Sequence, residues 1–150
     1  MKAKNSKKPE QLMRQYCEGY KNRDLPHLLS LFSNQVNMWG TGPDEYRVGL
    51  KEMEAQLKRE LSQSEAGEIN IVSFLPTPEN ALWAAAVCNA TITVEGKDHQ
   101  LTNLRWTIAI DQEDGAWKIS HLHASFPDLR NPEGSPFPIG NKESETHLWL

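Results

Sequence analysis

Three long runs in the second half of the chain set the terms for any fold it can adopt: ALWAAAVCNATITV, HQLTNLRWTIAI and WKISHLHASF. They are rich in β-branched and aromatic residues, they alternate, and only short turns part them, so they read as consecutive antiparallel strands. EGKD carries Gly96 as the first of two central turn residues, the position a type II′ hairpin turn favours, and DQEDGA carries an Asp-Gly turn signal. An earlier run, INIVSFL, is broken from them by PTPEN and supplies one more strand. A meander of this length must bury one face, and the elements available to cover it lie in the first half of the chain.

That first half has helical spacing. Leu12, Tyr16, Gly19 and Tyr20 recur at helical intervals within Pro9 to Asn22, as do Met13 and Cys17. Asp24 is placed to cap a short second helix, LPHLLSLF, with Pro26 tolerated in its first turn. QVNMWG reads as a short strand, and GTGPDEYRVG is a loop or tight hairpin. A third helix runs from about Leu50 to Ser62, with Leu50, Met53, Leu57 and Leu61 as its apolar stripe and the charged residues on the other side. The expected class is therefore α+β: three N-terminal helices packed on an antiparallel sheet.

The chain's 150 residues suit one domain. We expect a disordered basic tail over residues 1–7, a single domain over 8–127 and an extended tail over 128–150, docked by Leu148 and Trp149. A net charge of −4 makes no general case for nucleic-acid binding, and no run approaches the ~20 apolar residues of a membrane span. No apolar segment follows the basic start, so a signal peptide is not expected, and Cys17 and Cys88 are read as reduced thiols of a cytoplasmic protein.

Alternation assigns the sheet's faces. A two-residue turn at Gly96-Lys97 pairs Val94 with His99 and Cys88 with Arg105. Pairing Asp111 with Ala116 puts Leu122 opposite Arg105 and His121 opposite Trp106. One face then carries Ala84, Ala86, Cys88, Ala90, Asn103, Arg105, Thr107, Leu122, Ala124 and Phe126. Its small and polar residues suit a pocket lining. The other carries Trp83, Val87, Leu104, Trp106, Ile108, Ile110, Trp117, Ile119, His121 and His123, and its large apolar residues suit an interface. On this assignment His121 and His123 are interfacial. A zinc site needs a third protein ligand, which that face does not offer, so no metal is expected.

The order of elements, the loop GTGPDEYRVG and the ending DGAWKISHLHASFP resemble the nuclear transport factor 2-like superfamily. Within it they are similar to SnoaL-like domains and to the association domain of calcium/calmodulin-dependent protein kinase II. The resemblance covers about residues 8 to 127. It implies a cone: a strongly curved antiparallel sheet around a pocket on its concave side, closed by the helices, with the convex side commonly forming a dimer. It also implies Leu104, Trp106, Ile108, Trp117, His121 and His123 as interface residues.

Arg105 is the first candidate in the pocket. An arginine between apolar neighbours in mid-strand either clamps an anion or pairs internally with Asp44, Glu45 or Glu52. The association domain has an arginine on the matching strand, but the arginine after its second histidine is Ala124 here. Tyr16 stands where ketosteroid isomerase, another member of the fold, keeps an oxyanion-binding tyrosine. The position of that enzyme's base is Gly40, and no carboxylate stands near residues 105–107, so its proton-abstraction machinery is not expected. Otherwise Tyr16 is a core tyrosine. Trp39 either stacks on a flat ligand at the pocket mouth or plugs the core. Asp44 and Glu45 are the only loop acids placed to act as bases. Asn103, Leu122 and Phe126 complete the wall, and Cys88 reads as a buried thiol more readily than as a nucleophile. No phosphate loop or dinucleotide fingerprint is present, and no cofactor is implied. The leading expectation is a homodimer binding a small polar or anionic ligand. The alternatives are an isomerase, dehydratase or cyclase, and a pure association module.

Overall fold

The computed structural model describes residues 7–138; the basic start before Lys7 and the docking of Leu148 and Trp149 lie outside the described residues. Helix α1 (Lys8–Lys21) begins with Pro9 in its first turn and buries Leu12, Met13, Tyr16, Gly19 and Tyr20, the side that its helical spacing marks. Helix α2 (Leu25–Ser30) starts where Asp24 accepts a hydrogen bond from the His27 amide at 3.1 Å. Strand β1 (Phe32–Trp39) and the short β2 (Tyr46–Val48) flank the Gly- and Pro-rich loop, and Gly49, at φ +88°, turns the chain into α3 (Leu50–Ser62). Arg23 fastens the helical layer by donating to the carbonyls of Leu61 and Ser64 just past the open end of α3.

The strands β3 (Ala66–Phe74), β4 (Trp83–Val94), β5 (Lys97–Glu113) and β6 (Ala116–Ser125) complete one six-stranded sheet of order β2-β1-β6-β5-β4-β3. Every pairing is antiparallel except β1 with β6. The β4–β5 turn has the expected two residues but sits one position earlier, and the β5–β6 turn is tighter than expected. Glu95 and Gly96, at φ 52° and 74°, form the β4–β5 turn and pair Val94 with Lys97. Asp114 and Gly115, at φ 53° and 80°, join Glu113 to Ala116. Two successive positive φ values are the type I′ geometry that follows the twist of the strands, in place of the expected type II′ turn.

Three bulges bend the sheet. β3 carries an extra residue at Val72 and β6 one at Ser120. On β5, Thr102 and Asn103 stand against the single residue Asn89, with Asn103 at φ 59°. A bulge kinks the strand and raises its twist, so repeated bulges curl the sheet into an open cone. The core fills the space between the concave face and the helices, with Met13, Leu28, Met53, Leu57, Ile108 and Ile119 fully buried. Each such side chain contributes about 1.5–3 kcal/mol by leaving water.

Each bulge also moves every later side chain on its strand to the opposite face. The turn corrections shift the register by two residues and leave the faces unchanged. The Asn103 bulge shifts it by one. Cys88 therefore pairs with Leu104 rather than Arg105, and Ala86 with Trp106. Leu104, Trp106, Ile108 and Ile110 turn inward, which overturns their assignment to the convex face, while Arg105 and Thr107 turn outward. On β6, Ser120 separates residues expected to share a face. Ile119 is buried and Trp117 packs against the core, whereas His121 and His123 lie opposite Ala109 and Thr107 on the convex side.

Candidate functional site

Inside the cone is a cavity of about 430 Å³, within the ~300–1,000 Å³ of small-molecule sites. Most of its wall is apolar: Met38, Met53, Ile69, Ile92, Leu104, Trp106, Leu122 and Ala124, with Leu101 and Phe126 toward the mouth. The inward row Ala84, Ile108, Leu122 and Met38 runs straight across four strands, which is how residues distant in sequence come to share one wall.

The polar part of the wall comes from α1, α3 and the loop before β2. Residues three and four apart share a side of a helix, so Gln56 and Glu60 point the same way as Met53 and Leu57. Gln56 is almost wholly buried, yet all its hydrogen-bonding groups are used. Its carbonyl oxygen accepts from Arg47 Nε at 3.0 Å and Arg59 Nη2 at 3.4 Å. Its amide nitrogen donates to Glu45 Oε2 at 3.0 Å and Glu60 Oε2 at 3.1 Å. Guanidinium groups only donate, so the two arginines settle which end of the amide faces the carboxyls. Tyr20 OH donates to Glu60 Oε1 at 3.2 Å. Gly67 makes room for that tyrosine, since a Cβ there would lie 2.6 Å from its ring.

The two acids are not equivalent. Glu45 lies 3.8 Å from Arg59 Nη2, whereas among the described residues Glu60 has no ion pair. Burial raises the Glu60 carboxyl above its ordinary value; bonds from Gln56 and Tyr20 and the charge of Arg59 oppose the rise, and the charge of Glu45 adds to it. Tyr16 is also buried, with its ring 5.2 Å from Trp106 and 6.0 Å from Tyr20. Burial, then the charge of Glu60, holds its hydroxyl well above the usual tyrosine range, so it is protonated. It faces the cavity and has no hydrogen-bond partner among the described residues.

Of the residues expected in the pocket, Tyr16, Glu45, Leu122 and Phe126 lie on the wall. Arg105 does not: it is exposed on the convex face, opposite Val87 and Ser125. Trp39 stands outside as well, half-exposed and stacked on Tyr46 at 4.5 Å, because Met38 is the β1 residue that points inward. Asn103 is exposed at the bulge, where its amide meets Asn89 Oδ1 at 3.4 Å. Cys88 is in the core, with its thiol pushed up to about 11 by burial, which suppresses the nucleophilic thiolate. Asp44 faces solvent and pairs with Arg59 at 2.7 Å, a bond that holds its carboxyl below the usual range. Glu60, Gln56 and Tyr20 were not singled out from the sequence. The available signal was their spacing from Met53, Leu57 and Tyr16, which puts them on the buried sides of α3 and α1.

On the convex face two rows run across the strands: Tyr46, Trp39, His123 and Thr107, and beside it Val48, Asn37, His121 and Ala109. His121 Nδ1 lies 2.5 Å from Asn37 Oδ1. Among the described residues no three His, Cys, Asp or Glu side chains converge as a metal site, and no helix is long and apolar enough to cross a membrane.

No protein of curated function matches this sequence. Several solved structures share its fold. One, assigned to the calcium/calmodulin-dependent protein kinase II association domains and from Xanthomonas campestris, is 18% identical, with a TM-score of 0.67 over 80% of this chain and 86% of that one. An LEH-like epoxide hydrolase of M. tuberculosis is 11% identical, with a TM-score of 0.63 over 78% and 80% of the two chains. A ketosteroid isomerase-like protein from Erwinia carotovora atroseptica is 15% identical, with a TM-score of 0.61 over 78% and 92%. At these identities the likeness is one of fold. The model of the SnoaL-like domain matches residues 10–128, nearly the whole described cone, and the chain belongs to that family, within the nuclear transport factor 2-like superfamily.

Proposed function

We propose that this protein binds one small, largely apolar molecule inside the cone, polar end toward Tyr16, Tyr20, Glu45 and Glu60, and that it does so as a homodimer joined through its convex face. The observation that carries the reading is the cavity: about 430 Å³, apolar over most of its wall and polar at one end, where the Tyr16 hydroxyl has no protein partner among the described residues. That hydroxyl, open to the cavity, can hydrogen-bond a ligand oxygen. The expectation of an anionic ligand loses its support, because Arg105 faces outward and, among the described residues, no lysine, arginine or histidine lines the cavity. The dimer reading is supported by the convex face, where Trp39, Tyr46, Val48 and Trp83 are each 41–53% exposed.

Calorimetric titration with 1-naphthylmethanol, a neutral bicyclic probe small enough for the cavity, tests the ligand reading. One molecule should bind per chain, and Ala124→Trp, which fills the cavity, should abolish binding. Absent binding, or binding that survives Ala124→Trp, sinks it. A second reading, an enzyme that moves a proton on the bound molecule, is favoured by one observation: Glu60, a cation-free carboxyl, borders the same space. That reading expects Glu60→Gln to stop turnover while the ligand still binds.

A further inference from the structure

We infer that the molecule held in the cone carries a cationic amine, and that Glu60 and Glu45 recognise its ammonium group. This rests on the ligand-binding reading and names the chemistry of the ligand.

Three independent features of the wall point to it. The first is charge. Two carboxyls reach the cavity, and among the described residues no cationic side chain lines it and Glu60 has only neutral hydrogen-bond partners, the Tyr20 hydroxyl and the Gln56 amide. A carboxylate enclosed without a cation is poorly compensated, and an ammonium beside it restores the missing charge. The second is the aromatic cluster. The rings of Tyr16, Tyr20 and Trp106 lie together on the same wall, with centroids 5.2 and 6.0 Å from Tyr16, and aromatic faces attract a desolvated cation. The third is Tyr16. More than nine-tenths buried and aimed into the cavity, its hydroxyl has no partner among the described residues, and its oxygen can accept from an ammonium N–H.

The layout behind the wall fits the same purpose. Arg47 and Arg59 stand behind Gln56, and Arg59 also reaches Glu45 directly at 3.8 Å, so both carboxyls are oriented while Glu60 is left without an ion pair among the described residues. Arg59 spends its closest contact, 2.7 Å, on Asp44 outside the cavity. The groups facing Glu60 are thus Tyr20, Tyr16, Gln56 and Glu45, with Arg59 beyond them. Binding an ammonium here favours the ionised carboxyl.

The test is a matched set of probes titrated calorimetrically at pH 7: 1-naphthylmethylamine (cationic), 1-naphthylmethanol (neutral) and 1-naphthoate (anionic). The amine should bind at least about tenfold more tightly than the alcohol, with the carboxylate weakest. Glu60→Gln and Glu45→Gln should each weaken the amine by about tenfold and the alcohol by clearly less. Both variants keep an acceptor oxygen for Gln56, and unchanged circular dichroism checks their folds. Alcohol binding equal to or tighter than amine binding overturns the ammonium inference while the cavity reading stands. So does an equal loss of both probes in Glu60→Gln. If none of the three probes binds, the cavity reading falls and this inference falls with it.

Discussion

The inner and outer faces of this sheet are built from the same strands and use similar residues to opposite ends. Trp106 on the inner face is 3% exposed and touches Tyr16; Trp39 on the outer face is 51% exposed and stacks on Tyr46. Composition does not distinguish the two tryptophans. What separates them is register, set for Trp106 by the residue that the bulge at Asn103 adds to β5 and for Trp39 by the irregularity between Phe32 and Asn37 on β1. Truncating the two should therefore break different things. Trp106→Ala empties the centre of the core and should cost about 3–5 kcal/mol, read as a fall in the urea unfolding midpoint. Trp39→Ala should leave the unfolding of the single chain within about 0.5 kcal/mol, yet convert a dimer to a monomer in sedimentation velocity. If Trp39→Ala unfolds the protein while Trp106→Ala only dissociates it, the two faces have been assigned the wrong way round.

The bulge itself gives the next largest effect. Asn103 holds φ 59° at the point where β5 changes face. Asparagine tolerates that conformation and a β-branched residue does not. Asn103→Val should cost about 1–3 kcal/mol although the side chain is exposed, and Asn103→Gly should cost little or stabilise. Equal, small effects from the two would mean that β5 runs through without a bulge, which would return Arg105 to the cavity.

That residue also marks how far the sequence could be read. The class, the three helices, the Asp24 cap and the strand segments were legible because helical and strand periods are properties of long windows, and the cone was implied by the resemblance to the nuclear transport factor 2-like superfamily. The placement of Tyr16, Glu45, Leu122 and Phe126 on the wall was legible too. The face of each β5 residue was not. Face assignment by alternation assumes an unbroken register, and one extra residue reverses it. Asn103 is the one visible hint, an asparagine in mid-strand, and a single asparagine does not announce a bulge. His121 and His123 lie on the outer face, as alternation placed them, but their expected companion Trp117 packs against the core, because Ser120 intervenes. Glu60 escaped for a different reason. A charged residue late in a helix is ordinarily solvated, and only α1, the loop before β2 and the sheet meeting around it give it an enclosed setting.

Glu60 supplies the inner face with a pH dependence of its own. Its carboxyl is raised in the folded state, first by burial. The folded protein therefore holds a proton there that the unfolded chain has already lost. In the sign of that linkage, this carboxyl stabilises the fold below the ordinary range and weakens it as pH rises through the raised value. Glu60→Gln removes the titration. Relative to the wild type it should gain stability from about pH 4.5 upward to the folded value, and the difference should level off beyond it, measured as unfolding midpoints across the pH series. A Glu60→Gln curve parallel to the wild type throughout would mean that the carboxyl is solvated and the inner wall is not enclosed.

The smallest expected effect belongs to Arg105, and its smallness is what makes it informative. A mid-strand arginine among apolar neighbours looks like a clamp as long as the strand is taken to be regular. With the bulge it becomes an exposed residue of the outer face, opposite Val87 and Ser125, with no ion pair among the described residues. Arg105→Ala should then shift stability by no more than about 0.5 kcal/mol and leave the affinity for 1-naphthylmethylamine unchanged. The same probe should lose about tenfold with Glu60→Gln, so one titration series compares the two faces directly. A tenfold loss in Arg105→Ala would place the guanidinium inside the cone. That result would remove the Asn103 bulge, return an anion clamp to the wall and take away the uncompensated charge on which ammonium recognition depends.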